Sequence, residues 1–294
     1  MLSETKYHPS GSIAGGGGGG GSAVPAWSED ALTARARAVW TGGDFHPIAK
    51  SFAPGAAAFI ERLALRAGET VLDVACGTGN LAIPAARAGA LVSGIDIASN
   101  LIAQARLEAR AADCAVYFEV GDAESMPYTM GQFDTTVTMF GAMFAYRPDR
   151  AAAELLRVTR AGGRIAMANW TPEGFIGKML RAHVAVVPPP AGIPSPLLWG
   201  KEEIVRERFG DRVSTVVCTR RPIELRFPFA PAAVTELFAT SYGPTVATLK
   251  ATDPAGASRL RGELTRLFEE HNTASDGTTA VEGEYLDVQA RVAR

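Results

Sequence analysis

An α/β fold, with a doubly wound, Rossmann-like and mostly parallel sheet, an antiparallel edge strand and a helical cap, is what this sequence predicts on three observations. Apolar runs alternate with helical runs from Val71 to Trp170, the first apolar run empties into a glycine turn, and the pattern changes after Trp170 into a long, proline-containing stretch. Alternation of that kind implies right-handed crossovers, which lay helices on both faces of a parallel sheet. The chain has 294 residues, and residues 1–26 carry the run Gly15–Gly21 with few large apolar side chains. That segment is expected to be a disordered tail, because glycine loses the most backbone entropy on ordering, and residues 27–294 are expected to form one domain.

Ser28 is placed to cap a helix over Glu29–Trp40, and a second helical stretch, His46–Arg66, breaks near Pro54. Residues 27–66 therefore read as N-terminal lid helices. Core elements follow at Val71–Ala75, Leu81–Ala88, Leu91–Asp96, Ser99–Ala112, Val116–Val120, Phe133–Phe140, Asp149–Arg160 and Arg164–Trp170. The helix over Ser99–Ala112 rests on the stripe Ile102, Ala105, Ala109 and Ala112, with Ser99 as its cap. After Trp170 come a helix near Glu173–Ala185, the prolines of 188–196, and a helix at Lys201–Phe209. Strands are expected at Val213–Thr219 and Ile223–Phe227, then helices near Pro231–Thr240 and Ala255–Glu270, the last with Leu260, Leu264, Leu267 and Phe268 on one face. Glu284–Val292 alternates apolar and polar residues, which suits an antiparallel strand at the sheet edge. Residues 171–272 are too long for a simple connection and are expected to be a substrate cap inserted before that strand.

The 29 basic and 31 acidic residues give a net charge of −2, which offers no source for the phosphate attraction of a nucleic-acid binder. A small-molecule substrate is the expected partner, with neither nucleic acid nor membrane, and a homodimer is the assembly left open. Cys76, Cys114 and Cys218 are odd in number, far apart and without a Cys-x-x-Cys pair or a histidine at metal-ligand spacing, so reduced thiols, a cytoplasmic protein and no metal are expected. Glu4 and Lys6 precede glycines instead of an apolar segment, which argues against an export signal.

The most informative segment is Thr70-Val-Leu-Asp-Val-Ala-Cys-Gly-Thr-Gly-Asn80, an apolar strand running into a glycine turn and then a helix. In a doubly wound sheet this turn lies at the carboxyl edge of the strands, where ligands bind. Asp96, nineteen residues beyond Gly77, ends the second strand, where a carboxylate accepts both hydroxyl hydrogens of a ribose. A nucleoside-containing cofactor follows. Gly77-x-Gly79-x-x-Ala82 also satisfies a loose dinucleotide fingerprint, which keeps an NAD-dependent oxidoreductase open as an alternative. Asp73, four residues before Gly77, is poorly placed for a pyrophosphate and suits an ammonium or sulfonium group.

At these residues the chain resembles the class I S-adenosylmethionine-dependent methyltransferases, whose glycine motif reads acid-x-Gly-x-Gly-x-Gly and stands here as Asp73-Val-Ala-Cys-Gly-Thr-Gly, with Ala75 for the first glycine. Further stations match in order: Gly94-Ile-Asp-Ile-Ala-Ser-Asn-Leu101, Gly121-Asp-Ala-Glu-Ser-Met-Pro127, Phe133-Asp-Thr-Thr-Val-Thr-Met-Phe140, and the Gly162-Gly163 turn before Arg164–Trp170. The resemblance covers residues 31–170 and is nearest the ubiquinone and menaquinone biosynthesis branch. It implies S-adenosylmethionine as cofactor, with Gly77 and Gly79 lining its methionine and ribose part and Asp73 favouring its cationic end. By the same resemblance Asp96 holds the ribose hydroxyls, Ile97 packs on the adenine, Asp122 and the Ala123 amide read the adenine edge, and the main chain at Phe140 meets the amino-acid moiety.

Methyl transfer from a sulfonium needs an aligned nucleophile and excluded water, and a base only where the acceptor carries a tightly held proton. His46, in Gly42-Gly-Asp-Phe-His-Pro-Ile-Ala49, is the candidate base, with His183 a second histidine near the proline-rich stretch. Phe45, Met143 and Trp170 are candidate substrate contacts. Trp199, Phe227, Phe229, Phe238 and Tyr242 make the segment after Trp170 aromatic, which argues for a hydrophobic or aromatic acceptor, methylated at O, C or N. A protein that binds S-adenosylmethionine without catalysis is a further alternative.

Overall fold

The computed structural model describes residues 28–294, so the expected tail at 1–26 lies outside the described residues. Three helices come first: α1 (Glu29–Thr41), α2 (His46–Ser51) and α3 (Ala53–Leu63). The core follows as β1 (Thr70–Val74), α4 (Ala82–Arg87), β2 (Leu91–Asp96), α5 (Ser99–Ala111), β3 (Val116–Val120), β4 (Phe133–Met139), α6 (Pro148–Val158) and β5 (Thr159–Trp170). The last third holds α7 (Phe175–Val186), α8 (Glu202–Phe209), β6 (Val213–Phe227), α9 (Pro231–Ser241), α10 (Gly243–Ala251), α11 (Pro254–His271) and β7 (Thr279–Val292).

The seven strands form one sheet in the order β3-β2-β1-β4-β5-β7-β6, parallel from β3 through β5, with β7 antiparallel to both of its neighbours. β1 and β4 are adjacent, so the chain reverses direction across the sheet between them and leaves a crevice at their carboxyl ends. The glycine turn after β1 and the end of β4 both open into it.

Local chemistry accounts for the elements. Ser28 Oγ accepts the Ala31 amide at 3.2 Å and starts α1. The break near Pro54 falls at Phe52, with Pro54 in the first turn of α3, where its missing N–H costs nothing. α5 buries Leu101, Ile102, Ala105 and Ala109. Its cap differs from the expectation: Ala98, not Ser99, precedes the helix, and Asp96 Oδ1 accepts the Ala98 amide at 2.9 Å. The face Leu260, Leu264, Leu267 and Phe268 of α11 is buried as its spacing predicts.

Three expectations about the last third change. Val213–Thr219 and Ile223–Phe227 are one strand, β6, carried through Pro222; as the edge strand it pairs on one side only, so a proline is tolerated there. The antiparallel strand β7 is not itself at the edge but lies between β5 and β6. Residues 171–272 therefore do not form a cap throughout, since β6 completes the sheet and α8 packs beside α6 and β6. The helical layer over the carboxyl edge is α7, α9, α10 and α11, of which α10 carries no strong pattern in the sequence.

Candidate active site

The strand ends build a cleft of about 960 Å³, measured out to its open mouth, from the turn 73–81, the ends of β2 and β4, the loop after β3, and α1 and α2 from the N-terminal segment. Asp73, Gly77, Asp96, Ile97, Asp122, Ala123 and Phe140 all line it, though nothing but topology brings them together.

Asp73 is almost fully buried, and its Oδ2 accepts the Ala82 amide at 3.0 Å, capping α4. Asp96 is also buried; its Oδ2 accepts the Gly77 amide at 2.8 Å, which ties the second strand to the glycine turn. Burial pushes the Asp73 carboxyl well above the ordinary aspartate range, and the nearby Asp96 charge pushes it further; burial also raises Asp96. Neither carboxylate has a Lys or Arg partner among the described residues.

Among the described residues four non-glycine residues adopt left-handed φ, and two of them, Ala75 (54°) and Phe140 (56°), lie in this cleft. Strain of that kind persists where surrounding packing fixes it. Gly141 makes room for Ala75, since a Cβ there would lie 2.6 Å from the Ala75 Cβ, and the Phe140 ring stacks on Trp170 at 3.5 Å and 9°. Ala75→Gly is expected to stabilise the protein by about 0.5–1 kcal/mol, because relief of ~1–2 kcal/mol of left-handed strain exceeds the added chain entropy. A urea titration reads this as a higher midpoint.

Gly77 and Gly79 differ in function. Gly77 has φ of 53° and nothing within 4 Å of an added Cβ, so it faces open space. Gly79, at 91°, would place a Cβ 3.3 Å from both Ile83 Cδ1 and Phe118 Cζ. Its lack of a side chain serves the packing of α4 on β3, and Gly79 is not among the residues that line the cleft, against the expectation that it borders the methionine and ribose part of the cofactor.

The loop after β3 is locked to α1. Asp122 Oδ2 accepts from Thr33 Oγ1 at 3.1 Å and its Oδ1 from the Glu124 amide at 2.9 Å, while Glu124 pairs with Arg147, which also donates to Thr33 Oγ1 at 3.0 Å. Sequence reasoning missed Thr33, Glu124 and Arg147, since nothing local marks partners 89 and 114 residues apart.

Aromatic rings close the cleft on the β4 side. Trp40 meets Phe45 at 5.9 Å and Phe144 at 5.2 Å, and Phe52 meets Phe140 at 5.6 Å. His46, the candidate base, is not part of this wall: its Nε2 lies 3.3 Å from Glu108 Oε1 on α5, and its neighbour Phe45 faces the cleft instead. His183 is no base either, because both ring nitrogens are engaged, Nδ1 with the Met179 carbonyl and Nε2 with Thr245 Oγ1, each at 2.7 Å. Burial lowers its pKa to about 4.

A second cleft, mostly apolar and walled by the 188–197 segment, α7 and α10, meets the first at Trp40, Phe144 and Ala145. Met143 lines it, as does His183. A small chamber that includes Phe45, Trp170, Phe238 and Tyr242 shares Trp40 and Phe144 with both clefts. No group of side chains suited to a metal ion occurs among the described residues, and none of their helices is long and apolar enough to cross a membrane.

The chain is 37% identical over 259 residues to the uncharacterized protein Rv1403c of Mycobacterium tuberculosis, 87% of this chain and 93% of that one. It is 35% identical over 133 residues to the demethylmenaquinone methyltransferase of Beutenbergia cavernae, 43% of this chain and 54% of that one. A family model described as a methyltransferase domain matches residues 71–163. The chain belongs to the class I S-adenosylmethionine-dependent methyltransferases. The fold of the YcgJ protein from Bacillus subtilis agrees at a TM-score of 0.55 and 16% identity, over 82% of this chain and 99% of that one.

The cofactor of this methyltransferase is S-adenosylmethionine, and the cleft fits it on its own chemistry. Two buried carboxylates without a basic partner favour a ligand that brings cationic and hydroxyl donor groups, whereas a dinucleotide pyrophosphate would add negative charge beside them. The bound cofactor supplies a methyl group on an electrophilic sulfonium. A cation beside Asp73 favours its ionised form, so its pKa falls on binding and a proton is released. Affinity for S-adenosylmethionine is therefore expected to rise with pH through the range in which the free carboxyl titrates, with proton release read calorimetrically in buffers of different ionisation heat. Uptake of protons would reverse the sign.

Proposed function

We propose that this methyltransferase moves a methyl group to the O, C or N atom of a small apolar or aromatic molecule by in-line displacement. The observation that carries the reading is the junction of the two clefts: a carboxylate-lined one opens at Trp40 and Phe144 onto an apolar one. In the cofactor cleft, Asp96 takes the ribose hydroxyls, Ile97 the adenine face, Asp122 and the Ala123 amide the adenine edge, and Asp73 the cationic end. Gly77 and the main chain at Phe140 border the methionine part.

With His46 turned to Glu108 and His183 satisfied, alignment and exclusion of water supply the acceleration, and the acceptor is one that needs no strong base. Trp40, Phe45 and Phe144 shield the transfer site and offer aromatic faces to a cation. The near-neutral charge supports a small molecule over nucleic acid, and three unpaired thiols support a cytoplasmic setting. The test is incubation of the protein with labelled S-adenosylmethionine and a metabolite extract. Label is expected in solvent-extractable small molecules; label confined to nucleic acid or protein would refute the reading.

A further inference from the structure

Helix α1 borders both clefts, and its spacing gives each a different face. Thr33, Ala36 and Trp40, at i, i+3 and i+7, line the cofactor cleft, whereas Arg35 and Val39, at i and i+4, line the apolar one. The charges divide in the same way. Among the described residues, the charged side chains on the cofactor cleft are all acidic: Asp73, Asp96, Asp122 and Glu124. Those on the apolar cleft are Arg35 and Arg181, with no Asp or Glu beside them. A cationic cofactor suits the first set, and an anionic group suits the second.

The other polar groups of the apolar cleft narrow where that anion is held. His183 has both ring nitrogens committed to Met179 and Thr245, Thr248 Oγ1 donates to the Pro244 carbonyl at 2.9 Å, and Ser195 Oγ accepts the Leu197 amide at 3.3 Å. Arg181 is turned to the Pro172 carbonyl. Arg35 donates instead to the phenol oxygen of Tyr146, which also lines this cleft. Phe144 and Ala145, just before that tyrosine in the chain, line both clefts, so the pair stands beside their junction. A guanidinium carries five N–H donors in a planar fork, enough to hold a phenol oxygen and a carboxylate together. Burial pushes the Tyr146 phenol above its ordinary range against the opposing pull of Arg35, so the hydroxyl keeps its proton and is itself a donor.

We propose that the methyl acceptor is an apolar or aromatic molecule bearing one carboxylate, which Arg35 and Tyr146 hold beside the junction of the two clefts. This rests on the apolar-acceptor reading above and narrows it: the rings of the substrate fill the apolar wall, and its negative charge meets the arginine. Arg35 and Tyr146 orient the substrate and take no part in bond making.

The experiment compares the unaltered protein with Arg35→Gln, Arg35→Lys and Tyr146→Phe, all loaded with S-adenosylhomocysteine. Two probes of one shape are titrated at neutral pH: 2-naphthoate, and 2-naphthamide, in which an uncharged amide replaces the carboxylate. The unaltered protein is expected to bind 2-naphthoate about tenfold more tightly than 2-naphthamide, the worth of one charge-assisted hydrogen bond. That ratio should fall to near one in Arg35→Gln and fall in part in Tyr146→Phe, while Arg35→Lys, which keeps the charge and loses the fork, retains part of it. The S-adenosylhomocysteine affinity of Arg35→Gln should be unchanged, because Arg35 lines the second cleft and not the first. A ratio near one in the unaltered protein overturns the carboxylate inference alone, and an undiminished ratio in Arg35→Gln overturns the assignment to Arg35. Failure of both probes to bind the unaltered protein overturns the apolar-acceptor reading and this inference with it.

Discussion

Asp96→Ala is expected to weaken S-adenosylhomocysteine binding by about ten- to a hundredfold, the loss of roughly 1.5–3 kcal/mol of charge-assisted hydrogen bonding. The carboxylate acts twice. Its two oxygens each already accept one main-chain amide, Gly77 at 2.8 Å and Ala98 at 2.9 Å, which fixes the glycine turn against the end of β2. Each oxygen retains a lone pair for a ribose hydroxyl. Alanine removes both functions together. Stability should fall as well, by about 1–3 kcal/mol, because the Gly77 and Ala98 amides lose their acceptor, so a urea unfolding curve beside the calorimetric titration is needed to separate binding from folding. Unchanged affinity in a folded variant would refute the assigned role.

Gly79→Val is expected to cost stability, about 2–5 kcal/mol, from left-handed strain on a β-branched residue and from overpacking against Ile83 and Phe118. Gly77→Ala is the contrast. No described residue opposes its added methyl, so it should lose only about 1 kcal/mol of stability while reducing cofactor affinity. Urea midpoints and titration of both variants check the separation. A Gly79→Val protein with the original midpoint would show that the packing of α4 on β3 is misread.

These two positions also mark how far the sequence reaches. Asp96 is legible because strand length and crossover geometry fix its distance from the glycine turn. Gly79 is legible as a turn residue, yet the neighbour it spares, Phe118, is brought there by the parallel pairing of β3 with β2. His46 fails for a related reason: it is adjacent to Phe45 in the chain, and only the start of α2 turns one toward Glu108 and the other into the cleft. The aromatic chamber was legible only in part: Phe45 and Trp170 stand out singly as candidate substrate contacts, but Trp40, Phe45, Trp170 and Tyr242 lie on separate segments, and only the fold brings them together. The extent of the cap was overread because β6 is interrupted by Pro222, which breaks its pattern without breaking an edge strand.

The central claim, that the carboxylate-lined cleft at the ends of β1, β2 and β4 holds S-adenosylmethionine and passes its methyl group toward the apolar cleft, is tested most directly by isothermal titration with S-adenosylhomocysteine and, in parallel, NAD. One equivalent of S-adenosylhomocysteine is expected to bind, with no heat from NAD. Binding of NAD without S-adenosylhomocysteine would contradict the account.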